Sequence, residues 1–163
     1  MEESGSHIDR TGGCHTLHGS GESKASADNP SAAIFSGTTV RTFDGRGVSD
    51  LYRLYTEEPM TLRGAVVADK VVGKGAAALM AVMGVAEVYA HVISQPAYDL
   101  LCSSGAVVTY GTLVPNIINR TGTGLCPLET RCLPCLTAEE CIPQIAGFIR
   151  QMRGMQDNAN NTL

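Results

Sequence analysis

The stretch Leu62-Arg63-Gly64-Ala65-Val66-Val67-Ala68-Asp69-Lys70-Val71-Val72-Gly73-Lys74 decides the fold. Gly64 to Ala68 is a short unbroken apolar run, which predicts a strand buried on both faces. Val71 to Met83 follows and is apolar nearly all round, as a helix enclosed by other elements must be. Gly84 at its end predicts a C-terminal cap. A buried strand feeding a buried helix opens a βαβ unit, and the chain then repeats the pattern. Glu87 to Ile93 reads as a strand, Pro96 to Cys102 as a helix ended by Gly105, and Ala106 to Tyr110 as a strand. Upstream, Ala33–Phe35 and Thr38–Thr42 are short β-prone runs, followed by turn signals at Asp44-Gly45 and Arg46-Gly47. Val48 to Tyr55 places Leu51, Leu54 and Tyr55 at helical spacing, and Pro59 closes it. Downstream, Leu136 to Met152 reads as a closing helix with Thr137 as N-cap and Glu140 three residues on. The expected fold is α/β: a three-layer α/β/α sandwich around a mixed sheet of about five strands.

Composition bounds the rest. A chain of 163 residues fits one domain with tails. Apolar residues make up 44%, aromatics only 5%, and Trp is absent, so the core must be aliphatic. The net charge is -4, from 12 basic and 16 acidic residues, which excludes the basic field of an unaided nucleic-acid binder. No apolar run reaches the roughly 18 to 20 residues of a membrane span. The opening Met1-Glu2-Glu3-Ser4 is polar and acidic, unlike a secretory signal. The cytoplasm is therefore the expected compartment, and the six cysteines are expected as thiols or metal ligands rather than disulfides. Residues 1–30 are rich in Gly and Ser, carry most of the negative charge and hold almost no apolar residues. Such a segment buries too little to offset its ordering entropy, so a disordered tail is expected there. A single α/β domain is expected over 31–153, and a second frayed tail over 154–163.

Two motifs carry a resemblance. One is Leu62 to Lys74. The other is Val114-Pro115-Asn116-Ile117-Ile118-Asn119-Arg120-Thr121-Gly122-Thr123-Gly124-Leu125-Cys126-Pro127. Together they resemble bacterial domain-of-unknown-function family 1893 (DUF1893), over roughly residues 33 to 150. The resemblance implies a cytidine-deaminase-like α/β/α fold and no settled activity. Zinc deaminases place His-x-Glu or Cys-x-Glu at one helix start and Pro-Cys-x-x-Cys at the next. Set against that pattern, Asp69 stands at the first ligand position and Val71 at the position of the general acid/base. Ala97 and Leu100 replace both cysteines. A catalytic zinc needs three protein ligands and an open position, so the resemblance implies the fold without its zinc chemistry.

Three constellations are candidates for chemistry. Asp69, Lys70 and Lys74 are expected at the carboxyl end of a buried strand and on the first turn of the next helix, the edge where open α/β sheets bind ligands. Lys70 and Lys74 would share a helical face. Lysines at a helix start point to a small anionic ligand, nucleotide-like in character. Alternatively, Asp69 is an N-cap and the lysines are solvated. The second group is Asn116, Asn119, Arg120, Gly122, Gly124 and Cys126. Pro127 and Glu129 read as N1 and N3 of a short helix, which puts Cys126 at its N-cap, where a thiolate is favoured. Cys126 is the candidate nucleophile, and a merely structural capping thiol is the alternative. The third is the C-x5-C-x2-C-x5-C series of Cys126, Cys132, Cys135 and Cys141. It suits a metal or iron–sulfur site, a thiol-redox module, or buried structural cysteines. A protein-interaction scaffold is a further reading of the fold. Composition and spacing identify neither a cofactor nor an oligomeric state.

Overall fold

The computed structural model describes residues 31–43, 48–119 and 121–160. Expectations for residues 1–30, for the turn at 44–47 and for Arg120 lie outside the described residues. The chain runs β1 (Ala32–Ser36), β2 (Thr39–Phe43), α1 (Ser49–Glu57), β3 (Val66–Val72), α2 (Lys74–Val82), β4 (Glu87–Ser94), α3 (Gln95–Ser103), β5 (Val107–Val114), α4 (Pro127–Cys132) and α5 (Ala138–Asn160). The five strands form one mixed sheet in the order β2-β1-β3-β4-β5. β1 is antiparallel to both its neighbours, whereas β3, β4 and β5 are parallel. The α/β class and the five-stranded mixed sheet follow the sequence expectation. No helix among the described residues is long and apolar enough to cross a membrane.

The parallel strands are joined by two crossovers built alike. α2 and α3 each end on a glycine with positive φ, Gly84 at 76° and Gly105 at 88°. In each case the residue after the glycine donates its N–H five residues back, Val85 to Met80 at 3.1 Å and Ala106 to Leu101 at 3.2 Å. This 6→1 bond needs the left-handed conformation that glycine adopts without a Cβ penalty. It turns the chain straight into the next strand.

α2 is the hub of the helical part. It packs against α1, α3, α4 and α5, and Gly75, Ala77, Ala78, Leu79 and Met80 are all buried. Because each of the other helices touches α2, the five helices lie on one side of the sheet. The strands show the same asymmetry. Ile34, Val67, Val88 and Val108 stand side by side across β1, β3, β4 and β5, and each is at most 2% exposed. The neighbouring row points the other way. Phe35, Val40, Tyr89 and Val107 are each at least 40% exposed. The second helical layer expected from the continuous Gly64–Ala68 run is not found among the described residues. Val66 and Ala68 are partly exposed. Their apolar character reflects strand propensity on an open face rather than two-sided burial.

Alternation also breaks once, in register. Lys70 and Val71 are both exposed before Val72 is buried again, and Gly111 and Thr112 repeat this in β5. Between them His91 is exposed and Ile93 buried in β4. The ladder steps from Asp69–Ala90–Tyr110 to Val71–Val92–Thr112. Gly111 is required here: a Cβ on it would stand 2.9 Å from the His91 carbonyl oxygen.

The last helix differs from its expected extent. It begins at Ala138 and runs to Asn160, into the segment 154–163 expected to fray. Residues 150–158 are all exposed, so these turns bury little and rest mainly on local hydrogen bonding, with Arg131 of α4 donating to Gln151 Oε1. The polar composition correctly signalled solvent contact, but solvent contact does not exclude helix.

Candidate functional site

β3 continues through Asp69 and Lys70 to Val72, and α2 starts only at Lys74. Asp69 is therefore not an N-cap, and Lys70 and Lys74 do not share a helical face. Val71 and Val72 are β-branched and extend the strand, and Gly73 is the actual N-cap. Asp69 instead faces the interior in mid-strand, beside Ala32 and Ala90. Its Oδ1 accepts a hydrogen bond from Val71 N at 3.3 Å. Burial raises its carboxyl to about 6.

Lys74 is buried too, at the first position of α2. Its Nζ donates to Leu133 O at 3.0 Å and Cys135 O at 2.6 Å, beyond the end of α4. This corrects the picture of a solvated lysine. A stem of four methylenes is long enough to cross from α2 to the α4–α5 connection and bury its charge against carbonyl dipoles.

Gly73 offers no side chain to cap α2. The cap comes from Glu129, 1% exposed and 55 residues along the chain. Its Oε1 accepts from Lys74 N at 3.3 Å and from the Ser94 hydroxyl, and its Oε2 accepts from Ile117 N. Ser94 is itself the N-cap of α3, accepting from Ala97 N at 3.3 Å. One carboxylate thus ties the starts of α2 and α3 to the loop after β5. The anion that a helix N-terminus attracts is supplied here by the protein itself. Sequence reading placed Glu129 at the start of a short helix and gave it no further role. A buried acid directly after Cys-Pro-Leu was the available signal, but spacing alone could not show that it reaches two other helices.

Beside this knot, at the carboxyl edge of the parallel strands, lies a cleft of about 730 Å³. Lys74, Gln95, Asp99, Ser103 and Asn116 supply its polar groups, and Pro96, Leu100, Leu113, Val114 and Leu133 contribute apolar wall. Of the expected ligand residues, Lys74 and Asn116 are brought together in it. Asp69, Lys70, Asn119, Gly122 and Gly124 are not among its lining residues. Asn119 closes a tight loop: its N–H donates to Gly124 O at 2.8 Å, and its Oδ1 accepts from Thr123 N at 3.0 Å and from the Thr121 hydroxyl at 3.1 Å. Gly122 supplies the positive φ of that turn, 69°.

Cys126 occupies the N-cap of α4 as expected, with Pro127 at N1, but its thiol makes no capping hydrogen bond. The four-cysteine metal reading does not form. Six residues of helix separate Cys126 from Cys132, about 9 Å of rise. No group of three or more ligating side chains that could hold a metal ion occurs among the described residues. Cys135 Sγ donates to Glu140 O at 3.5 Å, and Cys141 Sγ donates to Thr137 O at 3.5 Å. The neighbouring Cys141 side chain holds the Cys132 thiol below its usual range, and burial pushes Cys135 up. Cys102 on α3 is disulfide-bonded, which corrects for that residue the expectation of six thiols.

No curated protein matches the chain. Among solved structures it is similar to a DUF1893 family protein (TM1506) from Thermotoga maritima, with 29% sequence identity and a TM-score of 0.66. That likeness covers 72% of this chain and 79% of the other. The family model described as a domain of unknown function, DUF1893, matches residues 23–149, and with the geometry above this shows that the chain belongs to the DUF1893 family.

Proposed function

We propose that the protein binds a small anionic molecule, nucleotide-like in class, in the cleft at the carboxyl edge of β3–β5. The observation that carries this reading is the Lys74 ammonium. It has three N–H donors, and two go to the carbonyls of Leu133 and Cys135. Carbonyl oxygens solvate the charge without neutralising it, so a cation with one remaining donor borders the cleft. Asn116 adds an amide on the same wall, and Pro96, Leu100 and Leu113 suit the flat apolar face of a base or ring. Cys126 stands behind that wall through its N–H bond to Ile117 O at 2.8 Å. In this reading Asp69 and Lys70 act in the sheet and not on the ligand.

Titration with inorganic phosphate and with nucleoside monophosphates, followed by backbone amide NMR shifts, tests the reading. Binding should move the amides of Gln95 and Asn116 saturably, and Asn116→Ala should weaken it about tenfold, the equivalent of one hydrogen bond of about 1.4 kcal/mol. No shift at these residues with any of the anions would refute it.

A further inference from the structure

The part of the cleft lining that α3 supplies differs in kind from the part that holds Lys74. Gln95, Asp99 and Ser103 follow one another at every fourth position of α3, so they share one side of the helix, and each is exposed. Pro96 and Leu100 form a half-buried apolar row beside them. Both rows border the cleft. The hydrogen bonds within the polar row decide what it offers. Gln95 Nε2 donates to Asp99 Oδ1 at 2.8 Å, and the Ser103 hydroxyl donates to the Asp99 carbonyl oxygen at 2.8 Å. The Ser103 proton is thus engaged by the helix, and its oxygen faces a ligand as an acceptor. The Asp99 carboxylate only accepts. Among the described residues its Oδ2 receives no hydrogen bond, and the one ion pair is Arg41 with Glu58. Acceptors therefore dominate the α3 row, whereas the Lys74 ammonium is a pure donor.

We infer that the α3 row binds adjacent hydroxyl groups through Asp99, so that the ligand of the cleft is a ribose phosphate with its 2′,3′-diol intact. This rests on the anion reading above and narrows it. Asp99 repels a second negative charge at its own end of the cleft, so the phosphate is drawn to Lys74 and the uncharged part of the ligand falls to α3. That part must bring donors. Two hydroxyls on neighbouring carbons can both donate to one carboxylate, and Ser103 accepts from a third group or a water. The C–H face of the sugar, or the base it carries, packs on Pro96 and Leu100. A 2′-deoxy sugar brings one donor to the carboxylate where the ribose brings two. A site built to pair a hydroxyl discriminates against the analogue that lacks it.

The test titrates the full chain, unsubstituted and as Asp99→Asn, with adenosine 5′-monophosphate, its 2′-deoxy counterpart, inorganic phosphate and O-phosphoethanolamine. The amides of Asp99, Ser103 and Asn116 report binding by NMR, and circular dichroism confirms that the variant is folded. The unsubstituted chain should bind the ribonucleotide about tenfold more tightly than the deoxynucleotide. In Asp99→Asn that preference should shrink to about twofold or less, while inorganic phosphate binds no more weakly than before. Equal binding of the two nucleotides, a preference that survives in Asp99→Asn, or phosphoethanolamine binding as tightly as the ribonucleotide would overturn the diol assignment and leave the anion reading standing. No shift with any of the four compounds would refute the anion reading itself, and the diol assignment with it.

Discussion

The two faces of the sheet carry similar side chains and live in different worlds. On the inner face Val67, Val88 and Val108 are completely covered by the helices around α2. On the outer face Val40, Val107 and Phe35 are apolar as well, yet more than 40% exposed. Hydrophobicity alone therefore does not place a residue inside. What fixes the inner face is a set of connections crossing from helix to helix, above all the Glu129 carboxylate, and the outer face has none among the described residues. Substitutions should separate the two faces sharply.

The largest effect is expected at Glu129. Glu129→Ala leaves Lys74 N, the Ser94 hydroxyl and Ile117 N without their acceptor, and should lower unfolding free energy by roughly 3–5 kcal/mol. Leu79→Ala, in the buried centre of α2, should cost about 3 kcal/mol through lost burial and a cavity. Urea denaturation measures both.

Asp69 tests the inner face by pH. Burial raises its folded-state value to about 6 from 3.8, so the fold favours the neutral acid. Its contribution is fully present below about pH 4 and is lost as pH rises through about 6, with an expected decline on the order of 2 kcal/mol. Asp69→Asn should flatten this part of the stability–pH curve. An unchanged curve would place the carboxyl in water.

The outer face should respond weakly, with one exception. Gly111 is exposed, but Gly111→Ala drives a Cβ onto the His91 carbonyl oxygen, and should cost roughly 1–3 kcal/mol. Val107→Thr, on the same strand and also exposed, should change stability by no more than about 0.5 kcal/mol. A large loss at Val107 would show that this face is covered in solution.

Much of the fold is legible in the sequence, because period and punctuation are local. Gly84 and Gly105 end their helices where expected, and Thr137 with Glu140 caps α5: Glu140 N donates to Thr137 Oγ1 at 3.2 Å and Glu140 Oε2 accepts from Leu136 N at 2.7 Å. The candidate site is less legible, for two physical reasons. Lys70 and Lys74 are four apart, which means neighbours only if both are helical. The strand runs on to Val72, because β-branched residues serve a strand as well as a buried helix. Glu129 acts over 35 and 55 residues, at Ser94 and Lys74, and no local pattern encodes such reach. Cys126, Cys132, Cys135 and Cys141 read as one series in the sequence, and only the length of α4 shows that Cys126 and Cys132 stand at its opposite ends.

Hydrogen exchange in Glu129→Gln tests the central role of that buried carboxylate most directly. The substitution keeps size and shape but replaces one acceptor oxygen with a donor, and both oxygens accept backbone or hydroxyl hydrogens. At least one of the amides of Lys74 and Ile117 should lose protection by tenfold or more, while the amides around Ile145 in α5 keep theirs. Full protection retained at both Lys74 and Ile117 would contradict the account.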